Sequence, residues 1–245
     1  MNSLILCEGK TDAILISYYL KRTCGWVECQ RNPNINLNFK ALENNQSAYW
    51  YKKGKNYLLI FGVGGKDNFN IVINKYILEV IKEYPQEESF KKIAVISDKD
   101  NNATESVLDR YKTYFKGIIV NAKENIWTKN TFLNSFSVIT SIQTLFVVIP
   151  TDKQGALETV LLDAISEDAY DKVIVDKSKT FISAIRENAN KYISTDRLAL
   201  KAHLSVVFAV MSPEKVFDFV NELIQSVEWE KSQVLKECFE ELSKI

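Results

Sequence analysis

Residues 4–20 read LILCEGKTDAILISYYL. A short apolar run stops at Glu8, Gly9 follows, and apolar residues then recur at helical spacing as Ile14, Leu15, Tyr18 and Tyr19. An unbroken apolar run of this length, with no alternation, is the pattern of a strand buried on both faces. The segment after it reads as a helix capped at Thr11 or Asp12 and running to about Arg22. A turn that served solubility alone would need neither the Glu–Gly order nor a second carboxylate four residues on.

Working outward, the same strand-to-helix grammar returns. YLLIFGV (57–63) reads as a second buried strand ended by Gly64 and Gly65, with a helix over 69–84 that Pro85 closes. KKIAVISDKD (91–100) is a third strand running into acids, followed by a helix over 103–116 and a short strand GIIV at 117–120. LFVVIP (145–150) is a further strand, and ALETVLLDAI (156–165) a helix. Beyond it the periodicity predicts only helices, at about 179–192, 196–210 and 213–226, and then a charged tail. Strands alternating with helices predict an α/β fold: a mostly parallel, Rossmann-like sheet flanked by helices, with a helical C-terminal extension. The expected division is 1–165 for the sheet domain, with an irregular insertion at about 23–56, and 166–245 for the extension packed on it.

Composition narrows the classes. Apolar residues are 46% and charged residues 25%, the balance of a globular chain, and only 8 Gly and 4 Pro leave no stretch that reads as a linker. No apolar run approaches the ~18 residues of a membrane span. SLILC is too short for a signal-peptide core and no basic region precedes it, so a cytoplasmic protein is expected. His203 is the only histidine and the four cysteines form no C-x-x-C pair, which argues against a Cys/His zinc site and against histidine acid–base chemistry. Lys plus Arg equals Asp plus Glu at 31 each, arguing against a nucleic-acid binder that works by bulk charge. The distribution is uneven: residues 21–56 carry seven basic residues against two acids, and 213–245 eight acids against four lysines.

In parallel sheets ligands bind beyond the carboxyl ends of the strands, and that is where the acids fall. The first strand end supplies Glu8 and Asp12, the second Gly64, Gly65 and Lys66, the third Ser97, Asp98 and Asp100. Hard cations such as Mg²⁺ take oxygen ligands, usually one or two carboxylates plus waters and phosphates. A D-x-D pair can point both acids to one face, and a Glu on a neighbouring strand can complete the set. Each residue also has a plainer reading: Asp12 as a helix cap, Asp98 and Asp100 as a solvated turn, the glycine pair as a tight turn, Lys66 as an exposed lysine.

E-G-x-x-D after the first strand and S-D-x-D after a later one resemble the Toprim domain of topoisomerases, bacterial primases and small nucleases. The stand-alone and OLD-nuclease type is the nearest in look, over about residues 3–165 with a weaker extension to about 210. The resemblance implies that Glu8 is general acid/base or metal ligand and that Asp98 and Asp100 hold Mg²⁺ or Mn²⁺. It further implies metal-site roles for Asp12, Ser97 and Glu158 (in GALE, 155–158), and a catalytic role for Lys201. Two metals ~3.5–4 Å apart would activate water and stabilise the leaving oxygen. Two features depart from the family. GVGGKDN is not a P-loop, so no nucleotide cofactor is expected, and no tyrosine has the context of a topoisomerase nucleophile.

Other readings stay open. Glu158 opens an apolar helical stripe and can serve the helix dipole; Lys201 can be a solvated lysine and His203 a packing residue. YWYKKGKNY (49–57) interleaves aromatic and basic side chains, so Trp50, Lys52, Lys53 and Lys55, with Lys66, are candidates for nucleic-acid contact; a hairpin packed by its own rings is the alternative. The expected function is Mg²⁺-dependent hydrolysis of DNA or RNA phosphodiesters, in defence or nucleic-acid processing. The rival is a non-catalytic module that binds metal and nucleic acid and works with a protein partner docked on the C-terminal helices. DKDNNAT (98–104) superficially resembles the D-x-D-x-T motif of haloacid-dehalogenase phosphatases, with Asp98 as nucleophile, although that motif normally opens the chain.

Overall fold

A computed structural model describes residues 1–30, 35, 45–189, 191–215, 224 and 227–245. Seven strands form one sheet: β1 (Asn2–Cys7), β2 (Val27–Cys29), β3 (Ser47–Lys53), β4 (Asn56–Gly62), β5 (Phe90–Asp98), β6 (Thr128–Leu133) and β7 (Ile139–Ile149), in the order β2-β3-β4-β1-β5-β7-β6. The four central strands run parallel, with Ile5 of β1 opposite Ile60 of β4 on one side and Ala94 of β5 on the other. The three outer strands β2, β3 and β6 are antiparallel to their neighbours.

Strand side chains alternate between faces, and β1 divides accordingly. Ile5 and Cys7 join the core on one face, Leu4 and Leu6 the core on the other. Helices α2 (Asn68–Val72), α3 (Leu78–Glu83) and α4 (Thr104–Tyr114) cover the second face, a π-helical turn at Ile73–Ile77 joining the first two. Helices α1 (Lys10–Cys24), α5 (Leu157–Ile165), α6 (Ala169–Asn188), α7 (Asp196–Met211) and α8 (Gln233–Phe239) build up the first. Burial of each large apolar side chain here contributes about 1.5–3 kcal/mol, which is why the runs 4–7, 58–61 and 145–149 are apolar throughout. Among the described residues no helix is long and apolar enough to cross a membrane.

Several expectations change. Helix α1 starts earlier than a Thr11 or Asp12 cap predicts: Gly9 occupies the cap position, and Asp12, one turn in, reaches back to accept from the Gly9 amide at 3.1 Å. The insertion is not wholly irregular, since β2 and β3 lie in it. Residues 117–120 form no strand. Ile118 and Ile119 are buried, but the Val120 and Asn121 amides donate to the Asn130 side chain (2.9 and 2.7 Å) rather than to a ladder. That Asn sits on β6, a strand whose sequence TKNTFL carries too few apolar residues to announce itself.

Helix α6 begins ten residues before the expected start, capped by Asp168, whose carboxylate accepts from the Tyr170 and Asp171 amides. The helix expected at 213–226 lies mostly outside the described residues, apart from a 3₁₀ turn at Pro213–Lys215. The charged tail is packed rather than solvated. Trp229, Leu235, Phe239 and Leu242 are buried, and Phe239 meets Tyr19 of α1 edge-to-face at 5.5 Å.

Candidate functional site

Because β4, β1, β5 and β7 are parallel, their carboxyl ends share one edge of the sheet. Glu8 follows β1 and Asp98 ends β5 on the adjacent strand. The turn after β1 is stitched to the end of β4: Val63 and Gly65 amides donate to the Cys7 and Glu8 carbonyls at 2.9 and 2.8 Å. The approach is close enough to exclude a side chain at Gly62, where a Cβ would fall 2.7 Å from the Gly9 carbonyl oxygen and 2.6 Å from Ser47 Oγ.

At this edge a cleft of about 380 Å³ is lined by Glu8, Asp12, Asp98 and Glu158, by the cations Arg197 and Lys201, and by Gly64 and Gly65. Glu8 is 3% exposed. It accepts weakly from the Asp98 amide (3.3 Å) and Ser97 Oγ (3.5 Å), and pairs with Arg197 at 3.5 Å. Asp98 Oδ1 accepts from the Leu157 amide at 2.9 Å, so β5 is tied to the first turn of α5. Glu158, next along that turn, pairs with Lys201.

Burial raises the Glu8 pKa, and the Arg197 charge opposes the shift. Burial together with the Glu8 charge pushes Asp98 up to about 9 and Asp12 up to about 7. Carboxylates taken out of water near one another resist ionising together unless a cation compensates them.

The two acids of the D-x-D part company. Asp98 faces the cleft, while Asp100 adopts a positive φ of 50°, pairs its backbone with Gly155, and gives its carboxylate to Lys66. Lys66 is therefore held on an acid of the same edge. Gly155 suits its position, since its φ is 146° and a Cβ would meet Thr159 Oγ1 at 2.5 Å.

The proposed stacking segment is corrected. Trp50 is 5% exposed in the core of the second face, so its ring offers no surface to a base. Lys52, Lys53 and Lys55 are exposed, but on the β3–β4 hairpin at the amino edge of the parallel strands. The length of β4 separates them from the cleft by roughly 20 Å, at about 3.3 Å per residue.

Arg197 escaped the sequence reading. Its one local signal was a position four residues before Lys201, which puts both on one face of α7. His203 proves a packing residue: buried, with Nε2 donating to the Val175 carbonyl at 2.9 Å. All four cysteines are free.

Among the described residues no three or more acidic, histidine or cysteine side chains gather around one point as a ready-made cation cage. The carboxylates instead lie spread along the cleft. Mg²⁺ typically keeps several waters and uses only one or two carboxylates with substrate phosphates, so an all-oxygen donor set of this kind fits it.

Sheet order, a parallel centre and a carboxylate-rich cleft on the carboxyl edge define an α/β protein. The chain belongs to the family described as "Protein of unknown function (DUF3226)", whose model matches residues 2–242. In fold it is similar to the crystal structure of a hypothetical protein from Pyrococcus horikoshii OT3, with a TM-score of 0.50 and 16% identity, over 98% of this chain and 99% of that one. A likeness at that identity concerns the fold alone. No curated protein matches the chain.

Proposed function

We propose that this protein is a Toprim-type, divalent-cation-dependent hydrolase of nucleic-acid phosphodiester bonds, acting in the cytoplasm. The observation that carries the reading is the meeting of Glu8 and Asp98 on adjacent parallel strand ends, beside Asp12 and Glu158, in one cleft. Such a collection of carboxylates, in which burial raises the pKa values of Glu8, Asp12 and Asp98, is the electrostatic mark of a cation and proton-handling site.

Glu8 and Asp98 would hold Mg²⁺ or Mn²⁺, with Asp12 and Glu158 as further oxygen donors. Bound there, the ion would lower the pKa of water and stabilise the leaving oxygen. The chain's own groups do the rest. Glu8 gives that ion a buried carboxylate, and the proton that the attacking water loses leaves to solvent through the cleft. Ser97 Oγ and the Asp98 amide fix the orientation of that carboxylate. Lys201, half exposed on α7, offsets negative charge on the phosphate. Asp98, anchored on the Leu157 amide, keeps β5 and α5 in register around the cleft.

The test uses purified protein with Mg²⁺ or Mn²⁺ and labelled single-stranded DNA, duplex DNA and RNA. Cleavage of at least one substrate, lost in Glu8→Gln and Asp98→Asn, is expected. If none is cut, and neither variant alters metal or nucleic-acid binding, the reading is wrong. Metal-dependent binding without cleavage would instead favour the non-catalytic module with a protein partner.

A further inference from the structure

Arg197 and Glu8 lie 189 positions apart in sequence and share one ion pair. The two ends of that pair differ. The Glu8 side chain is 4% exposed and that of Arg197 50%. A buried carboxylate is costly without a counter-charge, whereas a half-solvated guanidinium needs no partner. The pair therefore serves Glu8. Among the described residues Arg197 makes a single hydrogen bond, Nη2 to Glu8 Oε2, out of a guanidinium's five donors. Its planar fork matches two oxygens of a phosphate, and its position on the cleft wall faces the space such a group would enter.

We propose that Arg197 is the phosphate-recognising group of this cleft, held on Glu8 until a divalent cation takes over the counter-charge of that carboxylate. The inference rests on the phosphodiester reading above. Its logic is an exchange of charges. A cation on Glu8 removes the reason for Arg197 to sit there and repels it, so the guanidinium turns to the substrate. Cation and arginine thus compete for one carboxylate, and the competition orders events: cation first, nucleic acid second. Lys201 on Glu158, one turn along α7, repeats the arrangement, so a single helix face carries both counter-cations.

The experiment needs no turnover. Mg²⁺ is titrated calorimetrically into wild type, Arg197→Gln and Arg197→Lys. Binding of a short oligonucleotide with cleavage-resistant phosphorothioate linkages is then measured by anisotropy in saturating Mg²⁺. Arg197→Gln should bind Mg²⁺ about threefold more tightly, because its competitor is gone. It should bind the oligonucleotide about tenfold more weakly, for want of a charge-assisted contact. Arg197→Lys keeps the charge but loses the fork: Mg²⁺ affinity should stay within about twofold of wild type while the oligonucleotide is still weakened. Should Arg197→Gln fail to fold, the lysine variant decides by the same two readouts.

Mg²⁺ affinity unchanged or reduced in Arg197→Gln, or oligonucleotide binding unchanged in either variant, overturns the inference. If wild type binds both ligands, Glu8→Gln abolishes metal binding and the Arg197 variants change nothing, this inference alone falls. If wild type binds neither, the proposed function falls with it.

Discussion

Asp98 Oδ1 accepts the Leu157 amide at 2.9 Å, so one side chain both faces the acidic cleft and holds the first turn of α5. The two jobs separate by substitution. Asparagine keeps an acceptor for Leu157 but no charge; alanine keeps neither and leaves a buried amide unpaired. Asp98→Ala should be less stable than Asp98→Asn by about 1–3 kcal/mol in urea unfolding, while both lose metal binding. Equal stabilities would show that the Leu157 contact is dispensable.

The metal-free protein should lose stability as pH rises. Asp98 and Asp12 have folded-state values of about 9 and about 7, raised by burial and by the Glu8 charge, against about 3.9 for an unfolded aspartate. Between those limits the folded state binds more protons than the unfolded one, so unfolding free energy falls with pH. The contribution is whole below about pH 4 and is lost through about pH 7 to 9. Thermal melts across this range should descend, and Mg²⁺ should flatten the slope by favouring ionised carboxylates. A rising metal-free profile would contradict the assigned protonation.

Position decides which charges matter. Glu8→Gln should lower phosphodiester cleavage by about 10²–10⁴-fold. Replacing Lys52, Lys53 and Lys55 together by glutamine should leave cleavage and oligonucleotide binding within about twofold, since the hairpin lies at the opposite edge of the sheet. A large loss in the triple variant, measured at physiological salt, would place nucleic acid across the amino edge instead.

Gly62 has no room for a methyl group. Gly62→Ala puts a Cβ against the Gly9 carbonyl and Ser47 Oγ and should cost about 1–3 kcal/mol. Adding Ser47→Ala should recover only part of this, because the Gly9 backbone remains. Since Gly9 follows Glu8, a drop in metal affinity should accompany the loss of stability.

Much of the sheet was readable because burial on two faces leaves a plain trace. LILC, YLLIF and IAVIS could hardly be anything but central strands, and Glu8 and Asp98 at their ends were exposed by that contrast. Edge elements leave less trace. β6 packs one face only, and its key residue is a buried asparagine that pairs the Val120 and Asn121 backbone. In GIIV only Ile118 and Ile119 are buried, and they pack without joining a ladder. YWYKKGKNY was read correctly as a candidate hairpin but misplaced as a candidate cleft element, because strand direction relative to β1 is not written in the segment.

The sequence by itself determined an α/β chain whose strand ends carry carboxylates, since periodicity and apolar content are local properties that any packing must respect. Only the tertiary structure decided which charges face one another. Arg197 meets Glu8 across 189 residues, Lys201 meets Glu158, and Lys66 draws Asp100 aside. Ion pairs depend on distances of a few ångströms between elements, and those follow from strand order and helix docking, which emerge only when the whole core closes.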